Sequence, residues 1–110
     1  MTNKNKQKGD RAELEAARLL CLMTGRECRR KLGAGRQDDT GDIDGLPSTV
    51  VQVAAWKNVA SAVNLKPLGA EQQRINAGAA YAFTMVKLQR AGWRIVLTPE
   101  QFAAYLRLTV

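Results

Sequence analysis

Residues 41–58 read GDIDGLPSTVVQVAAWKN, and the rest of the chain can be read outward from them. Asp42 and Asp44 sit at the edge of an apolar piece. Gly45-Leu46-Pro47-Ser48 has turn composition, and Thr49 to Val53 is a run of β-branched residues that predicts a strand. A strand alternates faces with period two, so Val50, Gln52 and Ala54 share one face while Val51 and Val53 share the other. Gln52 is then a polar side chain in a buried sheet, where it needs a hydrogen-bond partner or a function. An acidic turn feeding a polar strand position is a common way to build a Mg²⁺ site, because hard cations take oxygen ligands from adjacent elements. The competing reading of an isolated D-x-D is a solvated turn.

The charge is arranged around this stretch. The chain of 110 residues carries a formal charge of +7 and suits one domain with a small core. Residues 1–36 hold ten basic and four acidic side chains, residues 37–45 hold four aspartates and no base, and the remainder holds seven basic against two acidic. One acidic island in a basic surface fits a cation held against phosphate better than passive coating of nucleic acid. The sequence has no His, which removes the commonest neutral-pH base and zinc ligand. Cys21 and Cys28 do not have zinc-cluster spacing and read as reduced thiols. No run is apolar enough for a secretion signal or a membrane span, so a cytoplasmic protein is expected.

In chain order, residues 1–9 are basic and polar and predict a disordered arm that touches phosphate; residues 10–110 are read as one domain. Asp10 and Glu13 have capping-box spacing, and Leu14, Ala17, Leu20 and Cys21 recur at helical spacing up to Gly25. Residues 27–31 read as a short extended piece and residues 32–41 as a Gly-rich loop. Arg29, Arg30, Lys31 and Arg36 flank that loop as candidate phosphate clamps. After the Thr49 strand, Lys66-Pro67 predicts a break and residues 69–77 a helix ended by Gly78. Residues 79–88 and 93–97 form a predicted hairpin across Arg90-Ala91-Gly92. Thr98 and Pro99 open a closing helix with Phe102, Ala103, Leu106 and Tyr105 on its apolar face. The order predicts a small α/β domain with a central mixed sheet flanked by helices.

Four pieces of the chain carry a family resemblance: KGDRAELE (residues 8–15), GAGR…GDIDGLP (residues 33–47), VVQVA (residues 50–54) and the end VKLQRAGW…LTPEQFA. In order and spacing the chain resembles the archaeal-type Holliday junction resolvases and their actinobacterial phage relatives, within the PD-(D/E)XK nuclease superfamily. The resemblance implies a restriction-endonuclease-like fold, a homodimer, branched double-stranded DNA as substrate, and Mg²⁺ or Mn²⁺ as cofactor. It implies a helix glutamate at Glu13, a turn aspartate at Asp42, a strand acid at position 52 and a lysine at position 54. Gln52 and Ala54 depart from that pattern, so the implied catalytic set is Glu13, Asp42 and Gln52, and the implied metal ligands are Asp42 and Glu13. Asp44 stands where it can add the carboxylate that Gln52 lacks. Lys57 reaches the site only if the strand ends and the chain turns back there; otherwise it joins Arg29, Arg30, Lys31 and Arg36 as a DNA contact.

The expected activity is therefore that of a Mg²⁺-dependent, structure-selective DNA endonuclease with a degenerate site. Two other readings stand beside it. One is a nuclease-fold protein that binds branched DNA without cutting it, and the other is a protein-binding module that interferes with a host factor.

Overall fold

The computed structural model describes residues 4–31 and 40–108. The elements follow the order α1 (Lys4–Thr24), β1 (Arg29–Arg30), β2 (Ile43–Asp44), β3 (Thr49–Ala54), α2 (Val59–Ala77), β4 (Tyr81–Leu88), β5 (Gly92–Val96) and α3 (Pro99–Leu106). The five strands make one sheet in the order β1-β2-β3-β4-β5. β3 and β4 are parallel, with Gln52 opposite Thr84, and all other neighbours are antiparallel. A parallel pair needs a crossover, which α2 supplies. The result is the small α/β domain with a mixed, helix-flanked sheet expected from the element order.

The alternation along β3 sorts the core into two layers. Val51 and Val53 pack with Ala12, Ala16, Ala17 and Leu20 of α1. On the other face Val50 meets Ala70, and Ala54 meets Ala62, both from α2. The alanines let both helices lie close to the sheet, and burial of these faces is the main stabilising term. α3 closes the end where β4 begins, with Tyr105 stacked on Tyr81 at 5.1 Å between ring centroids.

Four local expectations are corrected. α1 begins at Lys4, so residues 4–9 form its opening turns rather than an arm, and Asp10 is an interior helix residue rather than a cap. (Residues 1–3 of the expected arm lie outside the described residues.) Asp10 is engaged from β1 instead of capping the helix: Arg30 bonds Asp10 at 2.8 Å and Glu13 at 3.1 Å. Leu14 is exposed, and the buried stripe runs through Ala12, Ala16, Ala17 and Leu20 instead. α2 is one helix through Pro67, capped by Asn58 at its start and by Gly78 in the left-handed region at its end. An interior proline costs about 3 kcal/mol of helix stability, yet packing of Ala62, Pro67, Ala70 and Gln73 holds the helix together. In α3, Gln101 is buried while Phe102 and Leu106 face outward. Gln101 earns that position by closing a capping box with Thr98 and donating to Glu71 at 3.0 Å.

Among the described residues no helix is long and apolar enough to cross a membrane. Cys21 and Cys28 are free thiols: the Cys28 N–H donates to Cys21 Sγ at 3.2 Å, and burial pushes the Cys28 thiol pKa up.

Candidate functional site

The GDIDG segment holds its shape through two glycines. Gly41 and Gly45 have φ of 105° and 123°, in the region open to glycine. A Cβ at Gly41 would stand 2.9 Å from Val50 Cγ1, and one at Gly45 would strike the Glu27 carbonyl oxygen. Asp42 is thereby fixed against β3. Its N–H donates to the Val51 carbonyl at 2.8 Å, and its Oδ2 accepts the Val53 N–H at 2.8 Å.

Gln52 turns its side chain toward the same carboxylate from the α2 face of β3. With its amide oriented to satisfy both ends, Nε2 donates to Gln73 Oε1 at 2.8 Å and to Asp42 Oδ2 at 3.2 Å. Its Oε1 accepts from Lys66 Nζ at 3.0 Å, and Lys66 Nζ also lies 5.2 Å from the Trp56 ring centroid. Gln52 and Gln73 are both buried. A neutral glutamine here gives Asp42 a donor, where an acid would place two carboxylates side by side.

A cleft of about 550 Å³ opens beside these groups, at the end of β3 and against the first turns of α1. Lys8, Glu13, Asp42, Trp56, Lys57 and Lys66 line it. β3 stops at Ala54, so the chain does turn back and brings Lys57 to the cleft. A hollow of about 430 Å³ adjoins it, sharing Lys8 and Trp56 and adding Arg11, Glu15 and Lys87. Glu15 accepts from Lys87 at 2.6 Å and from Trp93 Nε1 at 2.9 Å, and these bonds, that from Lys87 foremost, lower its pKa. Among the described residues Lys8, Arg11, Lys57 and Lys66 make no salt bridge.

The structure thus brings Glu13, Asp42 and Lys57 to one cleft and sets Gln52 on Asp42. It leaves Asp44 outside: that residue is exposed in β2, opposite Arg29. Arg29 pairs with Glu27 at 3.1 Å, Arg30 with Asp10 and Glu13, and Lys31 Nζ donates to Thr40 at 2.8 Å. Arg36 lies outside the described residues. Sequence reasoning missed Arg11, Lys66 and Lys87 as cations of this face. Lys66 was legible only with α2 taken as one helix, since it then lies one turn beyond Ala62 on the face over β3.

Among the described residues no three His, Cys, Asp or Glu side chains are grouped closely enough to hold a metal ion. Mg²⁺, however, is often held by one or two carboxylates together with substrate phosphate and water. Glu13 and Asp42 on one cleft fit that smaller donor set, although Arg30 already engages Glu13. No family model, curated protein or solved structure matches this chain.

Proposed function

We propose that this chain is a structure-selective DNA endonuclease, resembling a Holliday junction resolvase with a degenerate PD-(D/E)XK site, and that it works on branched DNA as a two-fold dimer in the host-cell cytoplasm. One observation carries the reading: Glu13 and Asp42 line a cleft shared with Lys8, Lys57 and Lys66. Carboxylates beside unpaired cations fit a phosphodiester bridged to a divalent ion, whereas an all-basic groove fits binding alone. Asp42 and Glu13 would hold Mg²⁺ or Mn²⁺, which when bound polarises the phosphate and acidifies water. The chain's own residues do the rest. Lys8 and Lys57 hold backbone phosphates, Trp56 offers a face for a base, and Val53 N–H with Gln52 Nε2 keeps Asp42 aimed into the cleft.

A second reading is favoured by a specific contact. Arg30 holds Glu13 at 3.1 Å and Gln52 is neutral, which suits a nuclease fold that binds junctions without cutting them. Incubating a labelled four-way junction and a matched linear duplex with the protein, in Mg²⁺, in Mn²⁺ and in EDTA, separates the two. Slow metal-dependent cutting of the junction is the expected result. Retention of the junction with no product in either metal would leave the binding reading in its place.

A further inference from the structure

Ala54 is buried beneath Ala62 of α2 and packed on Val86, so position 54 has no route to the cleft. A strand cation cannot stand there without prising α2 from the sheet. The cation that does reach the carboxylate comes from the helix. α2 runs over β3 with Ala62 above Ala54 and Ala70 above Val50, which places Lys66 over Gln52, between them. Lys66 is half-buried, and its ammonium donates to Gln52 Oε1 at 3.0 Å and lies 5.2 Å from the Trp56 ring centroid. A neutral amide and a ring orient the charge without cancelling it, and Lys66 also lines the cleft with Asp42 and Glu13.

We propose that Lys66, delivered from α2, is the catalytic cation of this site: it contacts the oxygens of the reacting phosphate in place of a strand lysine, and Gln52 relays its position to Asp42. The inference rests on the phosphodiester reading above. Lys66 forms no covalent bond and transfers no proton; its charge stands beside the phosphate as negative charge builds on those oxygens.

The test uses the full chain with Lys66→Ala and Lys66→Arg, each first checked for an unchanged melting transition. Single-turnover cleavage of a labelled four-way junction in Mg²⁺ gives the rate. Fluorescence anisotropy across a salt series in EDTA gives binding without chemistry. Lys66→Ala should lower the rate by about 10²- to 10³-fold. It should also reduce the slope of log K against log salt by about 0.9, the share of one phosphate contact, and Lys66→Arg should recover part of both. An unchanged rate in Lys66→Ala, with the parent cutting normally, would overturn the role of Lys66 whatever the slope and leave the nuclease reading standing. If the parent binds but does not cut, the catalytic role of Lys66 is overturned together with the nuclease reading. A parent that neither binds nor cuts overturns the reading beneath and this inference with it.

Discussion

Gln52 is the residue at which the site departs most plainly from an acidic metal centre, and its contacts explain how the departure is accommodated. Its Nε2 points at Asp42 Oδ2 from 3.2 Å, so a single hydrogen bond occupies the place of a second carboxylate. Gln52→Glu would replace that donor with a negative charge inside a buried layer shared with Gln73. Without a metal ion the two carboxylates repel, and Lys66 Nζ, 3.0 Å from the side-chain oxygen at position 52, offsets that repulsion only in part. The variant should therefore melt lower than the parent in EDTA and recover when Mg²⁺ is added, since an ion that binds only the folded state stabilises it. The parent should respond to Mg²⁺ less. Thermal melts of both proteins with and without Mg²⁺ check this, and equal Mg²⁺ responses would mean that Asp42 and position 52 do not share an ion.

At the scale of elements, α1 is held at two points, by Arg30 through Asp10 and Glu13 and by the β4–β5 hairpin through Glu15. The lowered pKa of Glu15 fixes the sign of its pH dependence. A carboxylate with a depressed folded pKa contributes stability above its unfolded pKa and loses it as pH falls through the folded value. Glu15→Gln should thus melt slightly below the parent at neutral pH, by at most about 1 kcal/mol because the pair is exposed. That gap should close on acidification below the ordinary carboxylate range; melts at pH 7 and pH 3 that show a constant gap would assign the loss to packing instead. The order of the elements was legible because their signals are local: β-branched residues 49–53, Gly78 after a helix, and Thr98-Pro99 before one. What escaped was decided by tertiary contacts. Nothing near Asp10 announces that Arg30 will pair with it and with Glu13, and Pro67 reads as a break until Ala62 and Ala70 are seen to pack on the sheet before and after it. Of the apolar face read in the closing helix only Tyr105 turns inward, beside Gln101, while Phe102, Ala103 and Leu106 face outward.

On the whole molecule, the acidic island foreseen in the charge pattern is only partly a site: Asp42 enters the cleft, Asp44 does not, and residues 38 and 39 lie outside the described residues. The basic surface is likewise divided. Arg30 is committed to internal pairs, whereas among the described residues Lys8, Arg11 and Lys57 make no salt bridge along the two adjoining hollows. Replacing those three together by Ala should weaken four-way DNA binding for any sequence and lower the salt slope by about 0.9 per lost contact, as read by gel shift across a salt series. A slope equal to the parent's would move the interface to another face. Light scattering at tens of micromolar should give twice the chain mass of 12.1 kDa, and a monomer would remove the paired-site arrangement. If phosphodiester chemistry takes place at Asp42, Asp42→Asn removes it without disturbing the fold, because asparagine keeps the shape and the acceptor for Val53 N–H while losing the charge. In single-turnover cleavage of a labelled four-way junction in Mg²⁺, the parent should cut slowly and folded Asp42→Asn should not cut at all while still binding. Cleavage by Asp42→Asn at the parent rate would place the chemistry away from Asp42.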